Sequence, residues 1–134
     1  MAEPDLLFVY GTLRRASRHR AHERLARAAE PFGEGTVAGR LYLVEDYPGL
    51  VAAAGESARV RGEVYRLVAP SVLADLDRYE GCDAVDPARG LYRRARAEVV
   101  LDDGRSVTAW VYLYNRPVTA LRPIASGDYC SGEP

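Results

Sequence analysis

Tyr92-Arg93-Arg94-Ala95-Arg96-Ala97-Glu98-Val99-Val100-Leu101, then Asp102-Asp103-Gly104, then Arg105-Ser106-Val107-Thr108-Ala109-Trp110-Val111-Tyr112-Leu113-Tyr114 is the clearest hairpin in the chain. Asp-Asp-Gly supplies the turn, with Gly104 at the position that needs a positive φ. In the second arm Val107, Ala109, Val111 and Leu113 alternate with Thr108, Trp110, Tyr112 and Tyr114. Alternation with period two marks the two faces of a strand. The aliphatic face is expected to meet the core. The aromatic face either packs across the sheet or lines a pocket.

More strand signals lie upstream. Leu6-Leu7-Phe8-Val9-Tyr10 reads as a buried strand. Residues 37–44 and 61–68 read as two more. Tyr47-Pro48-Gly49-Leu50 reads as a turn into a short apolar run over 50–54. Two helices are expected, one over residues 17–29 with Ser17 as a possible cap, and one over residues 70–81. Residues 81–90 form a polar loop, and Ser126-Gly127-Asp128-Tyr129 a turn-rich tail. Many strands with two helices between them, and no regular βαβ alternation, predict an α+β fold with a largely antiparallel sheet or barrel.

The 134 residues suit one domain spanning 1–134. A net charge of −1 gives no reason to expect nucleic-acid or membrane partners. All 18 basic residues are arginine, which excludes a Schiff-base lysine and a P-loop lysine. Cys82 and Cys130 lack metal-ligand spacing. Two reduced thiols are the plainer expectation, with a disulfide as the alternative. The start of the chain lacks a signal pattern, and no apolar run approaches the ~20 residues of a membrane span. A cytoplasmic location is expected.

The first strand breaks at Gly11-Thr12. Gly lets the backbone turn and lets a ligand approach it, and successive amides after such a turn can form an anion-binding concavity. The alternative is an ordinary strand-to-loop turn. In the helix over 70–81, Pro70 fits the first turn and Gly81 the stop. Val72, Leu73, Leu76, Tyr79 and Glu80 fall on one face at helical spacing. Glu80 therefore borders the apolar stripe. Partial burial and the negative end of the helix dipole both raise its pKa, which suits a general base or acid. The alternative is a solvated last-turn residue.

His19, His22 and Glu23 sit at i, i+3, i+4, a spacing that suits a metal, but no HExxH pattern is present. The surrounding Arg14, Arg15, Arg18, Arg20, Arg24 and Arg27 read instead as a solvated basic helix, able to meet an anion or an acidic partner. Ser17, Ser106 and Thr108 lack a nucleophile-elbow context.

Tyr10-Gly11-Thr12-Leu13 and, about seventy residues on, Leu76-Asp77-Arg78-Tyr79-Glu80-Gly81 together resemble the γ-glutamylcyclotransferase-like (AIG2-like) family. Tyr47-Pro48-Gly49-Leu50-Val51, Gly62-Glu63-Val64-Tyr65, Tyr92-Arg93-Arg94, Trp110-Val111-Tyr112 and the Ser126-Gly127-Asp128-Tyr129 tail extend the match over nearly the whole chain. The resemblance implies a small mixed, largely antiparallel β-barrel with flanking helices. It implies enzymes that cyclise a small-molecule γ-glutamyl substrate to 5-oxoproline and release the amine, with no metal or cofactor. It places Glu80 at the catalytic carboxyl position and gives Tyr10, Gly11, Thr12 and Leu13 the γ-glutamyl group, held through main-chain amides. Two departures stand out. Arg14-Arg15-Ala16-Ser17-Arg18 follows the loop where many members carry a Gly and an Asn, and Tyr129 stands where Trp is usual. The alternative function is a non-catalytic module of the same fold that binds a small carboxylate or a protein.

Overall fold

Leu6–Val9 forms β1, and all four residues are buried. The run needs no polar alternation because both faces are covered. Leu6 and Phe8 join one apolar cluster, Leu7 and Val9 another. The computed structural model describes residues 4–17, 20–45, 47–52, 58–69, 71–83 and 85–129. Within them follow α1 (Ala21–Ala26), β2 (Ala29–Val44), β3 (Tyr47–Ala52), β4 (Arg59–Leu67), α2 (Val72–Tyr79), β5 (Tyr92–Leu101), β6 (Ser106–Tyr114) and β7 (Arg122–Pro123).

Pairing runs β1–β4–β2–β3–β6 and returns from β6 to β1, a closed ring of five strands. The β1/β4, β4/β2 and β2/β3 ladders are antiparallel. The two contacts of β6 inside the ring are parallel, at Leu7–Trp110 and Leu50–Leu113. The β5/β6 hairpin forms as expected, with Gly104 at φ +92°. The mixed, largely antiparallel barrel implied by the resemblance is therefore the architecture found.

Several local expectations need correction. The first helix does not fill residues 17–29. It splits into a 3₁₀ turn, Arg15–Ser17, and a six-residue α1, and the chain is already β-strand from Ala29. Ser17 does not cap α1, since its hydroxyl donates to the carbonyls of Thr12 and Arg14. The strand expected at 37–44 begins eight residues earlier, because a bulge between Pro31 and Gly33 lets β2 pass both breakers while pairing with β4. Tyr47-Pro48-Gly49-Leu50 is not a turn but the start of β3, in register with Val44 to Leu41. Residues 53–54, Pro70, Arg18, His19 and Cys130 lie outside the described residues.

The hairpin's two faces serve two cores. Ala109, Val111 and Leu113 lie inside the barrel with Phe8, Leu41 and Val60. Trp110 and Tyr112 lie on the outside, beneath Leu25 of α1 and Val72 and Leu76 of α2.

Arg14 leaves the expected solvated basic face. It is 3% exposed and donates Nε to Glu63 at 3.2 Å and Nη1 to Asp128 at 2.7 Å. Glu63 also accepts the Arg15 amide (2.7 Å), the Ala16 amide (3.1 Å) and the Tyr65 hydroxyl (2.7 Å). One carboxylate thus ties the chain after the Gly-Thr loop to β4. Burial alone would raise its pKa. The bonds from Tyr65, the two amides and Arg14 outweigh burial and hold the carboxyl below its ordinary value. A carboxyl depressed in this way stabilises the fold above its unfolded pKa of about 4.3, and that contribution is lost as pH falls through the folded value. Urea midpoints taken from pH 6 down to pH 3 should fall in the wild type. In Glu63→Gln they should start lower and fall less. Equal slopes for the two proteins would remove Glu63 as the acid-sensitive tie.

Candidate active site

The last turn of α2 is fixed by its end. Glu80 still donates its amide to the Leu76 carbonyl at 2.9 Å, and Leu76 is fully buried. Gly81 then turns to φ +76°, where a side chain would be strained. Its amide bonds Arg78 O, and the Cys82 amide bonds Asp77 O. These two bonds make a Schellman end. Helix and stop therefore formed as the sequence predicted, and together they hold Glu80 at the C-cap.

Glu80 lines a cavity of about 240 Å³. The segment Tyr10–Leu13 lines the same cavity, so all five residues singled out in the sequence come together. The remaining wall includes Pro48, Tyr92 and Tyr112, with Tyr47 and Leu91 also in the lining. Pro48 packs so close to Gly11 that a Cβ there would lie 2.7 Å from its Cγ. The loop and the helix end are joined directly, because Thr12 Oγ1 and Tyr79 OH share a hydrogen bond of 2.8 Å.

Among the described residues, none accepts from the amides of Gly11, Thr12 or Leu13. The next amides are committed elsewhere, Arg14 to Gly11 O and Arg15 and Ala16 to Glu63. Three successive main-chain donors thus stay available beside the cavity, an arrangement that suits an anion. Tyr10 differs from its neighbours. Its hydroxyl donates to Tyr112 O and accepts from Leu50 N, so only its ring is offered to a ligand.

Burial pushes the Glu80 carboxyl up to about 7, and among the described residues no cation or donor offsets it. The Tyr10 phenol is driven well above its usual value by burial and then by the charge of Glu80. Burial and the Glu80 charge likewise raise Tyr92. The tyrosines therefore stay neutral while Glu80 titrates near neutrality. A group so poised can take a proton and give it back.

Tyr92 and Tyr112 were not singled out as site residues. Tyr112 had a signal in the aromatic face of its strand. Tyr92 had its place at the hairpin's start and in the Tyr92-Arg93-Arg94 match.

The other candidates end up apart. His22 Nδ1 hydrogen-bonds Leu13 O at 2.9 Å, and its ring meets Tyr65 with centroids 5.7 Å apart. Among the described residues no group of three His, Cys, Asp or Glu is placed to hold a metal. Cys82 lines a second hollow with Asp77, Arg94 and Trp110, and burial and then Asp77 push its thiol up to about 11. Among the described residues no helix is long and apolar enough to cross a membrane.

Comparison with known proteins agrees with this geometry. The chain is 33% identical to the gamma-glutamylcyclotransferase family protein YtfP of Escherichia coli K12, over 92% of this chain and 94% of that one. Its fold matches the crystal structure of an AIG2-like protein from Mus musculus with a TM-score of 0.66 at 26% identity, over 84% of this chain and 79% of that one. It also matches YkqA of Bacillus subtilis with a TM-score of 0.71 at 27% identity, over 93% of this chain and 39% of the longer YkqA chain. With the family model matching residues 7–131, from β1 to beyond the tail turn, this chain belongs to the gamma-glutamyl cyclotransferase, AIG2-like family.

Proposed function

We propose that the protein cyclises a γ-glutamyl amine or peptide to 5-oxoproline and releases the free amine, with Glu80 as general base and then general acid. The observation that carries this reading is the Glu80 carboxyl, raised to about 7, in one cavity with the unclaimed amides of Gly11 to Leu13. In this reading those amides hold the substrate's α-carboxylate, and the ring of Tyr10 backs it. Glu80 takes a proton from the α-ammonium. The freed amine attacks the γ-carbonyl, and the new C–N bond closes a five-membered ring. The carboxyl then protonates the departing nitrogen as the old amide bond breaks. In all, two protons leave the α-nitrogen and two arrive on the departing alkylamine, so no water is consumed. The attack is intramolecular, so holding a near-attack shape supplies much of the rate. We place this activity in one domain and in the cytoplasm.

Glu80→Gln keeps the shape of the side chain and removes the proton acceptor. Its kcat for 5-oxoproline release should fall by about 10² to 10⁴. In the wild type, kcat should rise with pH through about 7, as Glu80 ionises. A variant that turns over at nearly the wild-type rate would place the base elsewhere. A broad panel of γ-glutamyl compounds with no turnover by the wild type would favour the binding module instead.

Stability supplies a second check. Glu80's folded pKa of about 7 lies above its unfolded value. The native state therefore holds the proton longer, and stability is lost as pH rises from about 4.3 towards 7. At pH 8, Glu80→Gln should melt at or above the wild-type temperature, whereas at pH 4 the two should converge. A variant that melts lower at pH 8 would mean that the charged carboxyl is structural.

A further inference from the structure

The part of the cavity that Glu80 and the loop amides do not use points to the amine that leaves. The cavity's about 240 Å³ is below the roughly 300–1,000 Å³ of pockets that enclose a drug-sized ligand. With the γ-glutamyl group held at Glu80 and the loop amides, as in the reading above, the amine's substituent extends towards the mouth. Tyr47 and Leu91 line the cavity yet are 51% and 43% exposed, so they form that mouth. They are two of the four large apolar side chains exposed among the described residues. Apolar surface left open around a cavity marks a contact for a ligand.

The aromatic wall has few polar groups to offer. Tyr92 OH donates to Pro48 O at 2.8 Å, and Tyr112 OH to Asp77 at 2.7 Å. Tyr79 OH is bonded to Thr12 and Tyr10 OH to two backbone groups. These four tyrosines present rings. Among the described lining residues there is no arginine or histidine, and Glu80 is the one carboxylate. Nothing there pairs with a carboxylate on the leaving amine, as an amino acid or a peptide carries. Among the described lining residues no second carboxylate is present for the far ammonium of a diamine.

We infer that the mouth formed by Tyr47 and Leu91 selects γ-glutamyl amides whose leaving amine carries an uncharged, apolar or aromatic substituent. The inference rests on the cyclotransferase reading above. It names the class of amine that is released.

Three probes separate the possibilities: the γ-glutamyl amide of phenethylamine, γ-glutamylglycine and the monoamide of putrescine. Preference is read twice, as kcat/KM for 5-oxoproline release by the wild type and as Kd for the Glu80→Gln variant. The phenethylamide should lead both alternatives by at least about tenfold, or about 1.4 kcal/mol. Leu91→Ser and Tyr47→Ser should each pull that ratio towards one. Both side chains are exposed, so the substitutions leave the core intact. A glycine or putrescine amide that equals or beats the phenethylamide overturns the inference, while 5-oxoproline release would keep the cyclotransferase reading. Tight, preferential binding of the phenethylamide without cyclisation keeps the apolar mouth and overturns the reaction. Failure of all three probes to bind overturns both.

Discussion

The phenol of Tyr10 is the contact on which barrel and cavity both depend. The two parallel contacts of β6, to β1 and to β3, are brief. Beyond the end of β1, Tyr10 accepts from Leu50 N of β3 and donates to Tyr112 O of β6. A side chain thus continues a ladder that the backbone has stopped making, and it satisfies a donor and an acceptor that would be costly to bury unpaired. Its ring forms cavity wall as a result. The hollow lies where the strands stop pairing and a phenol, rather than another strand, fills the gap. Removing that hydroxyl would loosen closure and site together.

The seam between the two cores explains why Glu80 is so poised. Phe8 and Tyr10 of the barrel interior and Val9, Leu13, Tyr92 and Tyr112 of the outer layer all line its cavity. Such walls remove water and return no charge, so the proton is held tightly. The fold accepts this carboxylate at a cost in stability near neutral pH, a trade common at sites built for chemistry. Glu63 shows the opposite outcome. It is also withdrawn from solvent, but four donors surround it, and it serves as a fastening. What separates the carboxyl that titrates near neutrality from the one held ionised is the supply of donors.

Much of this was legible in the sequence, for local reasons. The hairpin, the helix end at Gly81 and the placing of Glu80 beside the apolar stripe depend on nearby residues, and each formed. Residues 10–13 also meet Glu80 in one cavity, but that expectation came from the family resemblance and not from local pattern. The failures have nonlocal causes. Pro31, Gly33 and Gly35 are residue types that ordinarily interrupt a strand, yet a bulge and a neighbouring strand carry β2 through them. Pro48-Gly49 reads as a turn, yet β2 supplies a partner for it. Arg14 joins a run of arginines in sequence, but its partners lie 49 and 114 residues away. Nothing in the local pattern distinguishes it from the exposed arginines beside it. Tyr92 and Tyr112 reach the cavity through strand order, which no short motif encodes.

The placing of Tyr47 and Leu91 has a consequence for how such a protein diversifies. Tyr47 opens β3 just after the turn that holds Glu45 at φ +54°, and Leu91 closes the loop before β5. Both are exposed, and neither is counted in the two buried clusters. Glu80 and the Gly11–Leu13 segment, by contrast, are anchored to the barrel and to a capped helix. Drift at the two mouth positions is therefore nearly free of folding penalty. A lineage built on this scaffold can change what meets the cavity's mouth by point changes at these two positions, while the walls around Glu80 stay as they are.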